Sequence, residues 1–249
     1  MIAPARRGIP LRAVAPNAVT ALALCSGLTG VRFAIAGEWE RAAAAVIVAG
    51  VLDGLDGRIA RLLRGQSKFG EQLDSLSDVI AFGVAPALIM FLWSLKDVPR
   101  YGWIFALALA VCMALRLARF NSQIDEADQP RKSAGFLTGV PAPAAAGLSM
   151  LPLYLWLVTG QTVLREPWLV APWLALIAFL AVSSIPTYSW SSLRLRRSIR
   201  FEALAGVALL GAALLSAPWE TLSVVSVGYL ILVGFAVRSY AKVKRRRAN

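Results

Sequence analysis

Runs of about twenty mainly apolar residues, the length that carries an α-helix across a bilayer, follow one another along most of this 249-residue chain. They fall at residues 14–36, 41–63, 76–95, 102–122, 138–159, 168–188, 201–217 and 221–239. A water-facing fold would show stripes of period 2 or 3.6 instead of blocks. The composition agrees, with 58% hydrophobic and 16% charged residues against about 45–50% and roughly 25% in soluble domains. No soluble linker separates the blocks between residues 13 and 240. The expected architecture is therefore an all-α polytopic membrane protein of about eight transmembrane helices. It is read as a single integral domain over residues 1–249, with a basic N-terminus (1–13), helices (14–239) and a basic tail (240–249). The first block has no small-residue cleavage site and reads as a retained span rather than a signal peptide. Pro16–Asn17 reads as a helix start, Pro99 and Pro130 as loop residues, and Pro167 and Pro218 as span boundaries.

Charge placement orients these spans. All Lys and Arg except Arg32, Arg41, Lys96, Arg100 and Arg165 fall on one side, from Arg6 and Arg7 through Arg58, Arg61 and Arg64 to the tail KVKRRRAN. The positive-inside rule then puts both termini in the cytoplasm, which requires an even number of spans. The formal charge of +12 is the orientation signal plus attraction to anionic lipid, and it calls for no nucleic acid. Trp39, Trp93, Trp103, Trp168 and Trp219 fall near expected outer ends and read as an interfacial belt. Cys25 and Cys112 lie inside apolar blocks without CxxC spacing and read as buried, inert thiols. The chain has no histidine, so any chemistry must use carboxylates, hydroxyls or amines.

Against this background the stretch DGLDGRIARLLRGQSKFGEQLDSLSD, residues 53–78, is anomalous. Asp53 and Asp56 are three apart and share a helix face, and Asp74 and Asp78 are four apart and share another. Asp53 falls in the cytoplasmic half of the bilayer. Two antiparallel helices presenting paired carboxylates would form an oxygen-only cage for a hard cation such as Mg²⁺ or Mn²⁺. Gly57 and Ala60 lie one turn beyond the first pair and Gly70 one turn before the second, where small residues let a bulky group approach the backbone. Arg61 adds a fixed positive charge suited to phosphate. Metals between carboxylates, beside small residues and a cation, describe a diphosphate site. The competing account is a structural ion-pair network with Arg58, Arg61 and Arg64, but ionisable groups inside a membrane are functional by default.

The pattern Asp53-x-x-Asp56-Gly57-x-x-Ala60-Arg61, eight residues, Gly70-x-x-x-Asp74-x-x-x-Asp78 resembles the full signature of the CDP-alcohol phosphotransferase family. The resemblance implies a six-helix core, here with two further C-terminal helices. It also implies transfer of a phosphatidyl or phosphoalcohol group from a CDP-linked donor to an alcohol, with release of CMP. PNAVTALALCSG (16–27), FGEQLDSLSDVIAFGVAPA (69–87), RLARFN (116–121) and FLTGVPAPAAA (136–146) are similar to the serine-accepting, membrane-integral branch of that family. That similarity implies CDP-diacylglycerol and L-serine as substrates, in the inner membrane of a bacterium with the active site facing the cytoplasm. It further implies a divalent metal, Mg²⁺ or Mn²⁺ and two ions, held by Asp53, Asp56, Asp74 and Asp78, with Asp78 also the general base. Thr20, Gly57, Ala60, Arg61 and Gly70 would hold the CDP-diacylglycerol. Arg119, Asn121 and Lys132 would meet the serine carboxylate, which needs cations or several donors; for Arg119 snorkelling to the interface is the alternative. Gly139, Pro141 and Pro143 read as shaping a kink or cavity wall. Ala23 stands where many relatives carry Asn and receives no ligand role. Members of the family are often dimers, so a homodimer is among the expected partners.

Other acceptors stay open within the same chemistry: glycerol 3-phosphate, inositol phosphate or choline. More distant alternatives are a Mg²⁺-dependent membrane prenyltransferase, whose acids typically form two widely separated clusters, and an ion transporter, which has no need of the Gly-Ala-Arg spacing.

Overall fold

A computed structural model describes residues 11–63, 65, 67–123, 136–188 and 200–248. The chain divides into two compact units, Met1–Ile89 and Met90–Asn249.

The first unit is built on α1 (Leu11–Ile35) and α2 (Trp39–Leu63). α1 starts five residues ahead of Pro16, which lies inside the helix rather than at its start. Gly37, in the left-handed conformation (φ 78°), ends it, with Gly37 N–H donating to Ala34 O and Glu38 N–H to Phe33 O. The two helices approach through small residues, the means of close packing where lipid offers no hydrophobic drive. Ala42, Ala43, Ala45, Val46 and Ala49 of α2 are buried. A Cβ on Gly30 would stand 3.1 Å from Ala42 O, and Ser26 Oγ donates to Ala45 O at 2.8 Å.

The chain then runs through α3 (Lys68–Asp78), a π-helical stretch (Val79–Val84) and α4 (Ala85–Trp93). Ser67 caps α3 by accepting from Gly70 N–H at 3.0 Å. α1 packs against α3 and the π stretch as well as α2. It comes close to the π stretch at Gly27, where an added Cβ would meet Ala81 Cα at 2.9 Å. α4 carries the chain into the second unit.

In the second unit α5 (Pro99–Gln123) packs on α8 (Pro167–Val182), and the pair α6 (Ala142–Ser149) and α7 (Leu151–Thr159) is bent by 41°. Pro99, expected in a loop, opens α5, a first-turn position where its missing N–H is not needed. Pro130 lies outside the described residues. The strands β1 (Phe136–Thr138) and β2 (Pro186–Tyr188) pair antiparallel, a small departure from an all-α fold. α9 (Arg200–Ser216) and α10 (Pro218–Ala248) complete the unit. α9 leaves most of its apolar side chains outward, Leu215 at 89% exposure, the expected state of a lipid-facing helix.

These helical segments fall at the eight expected places. On length and apolarity, however, four runs among the described residues are candidate spans: Val14–Ile35, Lys68–Trp93, Arg100–Ser122 and Pro218–Ala236; the bent pair would make a fifth. α8 and Leu204–Ser216 are shorter apolar helices, and the second half of α2 carries Asp53, Asp56, Arg58 and Arg61. Four or five candidate spans among the described residues are consistent with an integral membrane protein.

Further expectations change. Trp93 is fully buried, edge-on to Trp156 with centroids 6.0 Å apart, and does not belong to an interfacial belt. Neither cysteine is buried: Cys25 is exposed on the flank of α1 and Cys112 is half-buried, and both are free.

Candidate active site

The second half of α2 and the first turns of α3 place their acids together. One carboxylate oxygen from each of Asp53, Asp56 and Asp74 lies within 4.8 Å of the others. At that separation two like charges repel by about 3–4 kcal/mol at an effective dielectric of 20, so the arrangement calls for a cation. The donor set is oxygen only, with no sulfur or imidazole, and fits a hard divalent ion. Asp78, one turn beyond Asp74, makes a side-chain hydrogen bond with Asp53. Two carboxyl groups in contact must share a proton or a cation.

Beside the acids is a cavity of about 250 Å³ lined by Pro16, Asn17, Thr20, Asp56, Gly57, Ala60, Arg61, Gly65, Ser67, Gly70, Glu71 and Asp74. It gathers every residue expected to hold the donor. Arg61 is exposed, and its Nη1 lies 4.0 Å from where a Cβ on Gly57 would be. Gly57 therefore leaves space to the cavity and to the arginine head.

Gly70 works differently. A Cβ there would stand 2.7 Å from Asn17 Oδ1 and 3.2 Å from Ser67 Oγ. The room it leaves is taken by the Asn17 amide, not by a ligand.

Sequence reasoning missed Pro16, Asn17, Gly65, Ser67 and Glu71 in the lining. Asn17 was legible in principle, since it precedes Thr20 by three positions and shares its helix face. Ser67 had the mark of an N-cap ahead of α3.

Thr20 reaches the site from α1. Its Oγ1 lies 2.5 Å from Asp56 Oδ2 and 3.1 Å from Pro16 O, and Thr20 O accepts from Ser77 Oγ at 3.3 Å. The two acid-bearing helices are thus tied to a third.

Arg119 and Asn121 lie at the end of α5 in the second unit. Arg119 Nη2 donates to Ser183 O at 3.1 Å, and Arg116 Nε donates to Val140 O. Both arginines thereby hold the turn around Gly139 (φ 74°), whose own N–H donates to Ile185 O and whose carbonyl accepts from Thr187 Oγ1 at 2.8 Å. Arg119 is therefore engaged with backbone rather than simply snorkelling. Gly139 shapes the wall of this turn, and Pro141 caps α6. Lys132 lies outside the described residues.

Comparison with known proteins agrees with this geometry. A family profile described as CDP-alcohol phosphatidyltransferase matches residues 13–182, and a second, CDP-alcohol phosphatidyltransferase 2, matches residues 199–233. The chain is 38% identical to the CDP-diacylglycerol–serine O-phosphatidyltransferase of Mycobacterium tuberculosis (strain ATCC 25618 / H37Rv), over 94% of this chain and 81% of that protein. The protein of the same name from Mycobacterium leprae is 36% identical over 94% of this chain and 77% of its own length. The Helicobacter pylori (strain ATCC 700392 / 26695) protein of that name is 40% identical over 55% of each chain. With the signature acids brought together beside a cavity and most of the length matched, the chain belongs to the CDP-alcohol phosphatidyltransferase family.

Proposed function

We propose that the protein transfers the phosphatidyl group of CDP-diacylglycerol to L-serine, giving phosphatidylserine and CMP. The observation that carries this reading is the carboxylate triad of Asp53, Asp56 and Asp74 at the cavity, in a chain similar over 94% of its length to proteins named for that reaction.

Asp53, Asp56, Asp74 and Asp78 would hold the divalent ions, two of them, Mg²⁺ or Mn²⁺. When bound, such ions neutralise phosphoryl oxygens and the charge that develops on departing CMP. Gly57 and Ala60 let the nucleotide approach α2, Arg61 meets phosphate, and Gly70 admits Asn17 to the same wall. Asp78 takes the proton of the serine hydroxyl. The freed oxygen bonds in line to the lipid-side phosphorus. The bond from that phosphorus to the bridging oxygen breaks, and CMP leaves with the electron pair, without a covalent enzyme intermediate. Arg119, Asn121 and Lys132 are proposed for the serine carboxylate. For Arg119 the expected sign is a raised KM for serine in Arg119→Lys, which keeps the charge and loses the fork.

The chain acts as one integral domain, residues 1–249, of eight spans in the inner membrane of a bacterium. Both termini and the active site face the cytoplasm, and the protein works as a homodimer. The test is CMP release from CDP-diacylglycerol with each alcohol in turn. Turnover with serine, and little with glycerol 3-phosphate, inositol phosphate or choline, is expected. CMP release with glycerol 3-phosphate and none with serine would remove serine as acceptor.

A further inference from the structure

We propose that Thr20 is a positioning residue, whose hydroxyl holds one oxygen of Asp56 and so presents the other to the cation shared with Asp53 and Asp74. This deepens the phosphatidyl-transfer reading and rests on it for the reaction served.

Thr20 and Asp56 are 4% and 5% exposed, so bulk water competes little for either group. The hydroxyl has one proton and two acceptors within reach, Asp56 Oδ2 at 2.5 Å and Pro16 O at 3.1 Å. An anionic carboxylate at the shorter distance is the stronger acceptor, so the proton goes to Asp56. The neighbouring Pro16 carbonyl, one helical turn back, keeps the hydroxyl on the cavity side of α1.

The backbone of Thr20 has its own tie. Ser77 lies on α3 between Asp74 and Asp78, is buried, and donates to Thr20 O. One residue of α1 therefore fixes Asp56 directly and the helix bearing Asp74 and Asp78 through its backbone.

This alters the role of Thr20 at the cavity. It lines the wall, but with its proton committed to Asp56 it has none to offer a phosphate. A partner behind a metal-ligating carboxylate sets the angle and basicity of that ligand, and its loss typically lowers metal affinity by about 10–100-fold.

The experiment uses the purified full-length protein in lipid nanodiscs. Mn²⁺ binding is read without substrate, from the electron paramagnetic resonance signal of free Mn²⁺. Thr20→Val keeps the shape and removes the hydroxyl; Thr20→Ser keeps the hydroxyl. The expected result is Mn²⁺ affinity lowered about tenfold or more in Thr20→Val and within about threefold of wild type in Thr20→Ser.

Wild-type affinity in Thr20→Val would overturn the proposal. So would Thr20→Ser as impaired as Thr20→Val, which would make the methyl packing decisive. A raised KM for CDP-diacylglycerol with unaltered Mn²⁺ binding would assign Thr20 to the donor instead, and a wild-type protein that binds no Mn²⁺ would also sink it. If Thr20→Val does not fold, Thr20→Ala carries the same expectation. Because the Mn²⁺ titration contains no substrate, absence of CMP release with serine would reject the phosphatidyl-transfer reading and leave this one standing.

Discussion

At the scale of single residues, two glycines of one signature do opposite things. Gly57 faces open space beside Arg61, and Gly70 faces an amide. Gly57→Ala should therefore be tolerated by the fold, and as a helix-interior change it should add up to about 1 kcal/mol of stability. It should also raise the KM for CDP-diacylglycerol, so thermal unfolding and activity would move in opposite directions. Gly70→Ala must displace Asn17 or Ser67, and both measurements should fall together. Asp78→Asn should lower kcat by about 10²–10⁴-fold, the usual worth of a positioned base; undiminished turnover in folded protein would end that assignment. The acid pairs were legible because three- and four-residue spacings repeat within any helix. The hydrogen bond from Thr20 to Asp56 spans 36 positions, and nothing local in the sequence foretells which hydroxyl of α1 meets which carboxylate.

At the scale of elements, Pro167 and Pro218 were legible as span boundaries and open α8 and α10, whereas Pro16 and Pro99 were misread: Pro16 lies inside α1, and Pro99 opens α5, since proline is tolerated in a first turn as well as before one. The π stretch Val79–Val84 was not legible, since its residues VIAFGV suit an ordinary apolar helix equally well. Nor was the pairing of β1 with β2, which depends on where helices between them bring the chain back. The π stretch follows Asp78 directly, and such irregular turns are frequent at functional sites. α1 presses on it at Gly27, 2.9 Å being shorter than a Cβ tolerates against backbone. Gly27→Ala should push α1 from the π stretch, lowering stability by about 1–3 kcal/mol as overpacking does. Activity should fall further than Tm alone accounts for, because Asp78 leads into that stretch. Activity preserved at the wild-type level would show that the π stretch does not set Asp78.

At the scale of the whole molecule, charge and metal give two global outcomes. Chelation with EDTA should abolish CMP release, with Mn²⁺ or Mg²⁺ restoring it, since three like charges otherwise share a space of 4.8 Å. Trypsin should trim the tail KVKRRRAN from inside-out vesicles and spare it in right-side-out ones; the reverse would invert the proposed topology. The span count was the hardest property to read. Blocks of apolar sequence mark helices well, but α2 must carry four charges for the site and α8 and α9 are short. The aromatic pairs have an optical consequence. Trp93 stands edge-on to Trp156, and Tyr154 stacks on Trp219, all after residue 89, whereas Trp39 is the lone indole before it. Near-ultraviolet circular dichroism and intrinsic fluorescence thus watch the second unit, while the carboxylate cluster lies in the first. A melting curve followed by those signals and shifted upward by Mn²⁺ would mean that the two units lose their structure in one cooperative step. An unshifted curve would mean that each melts on its own.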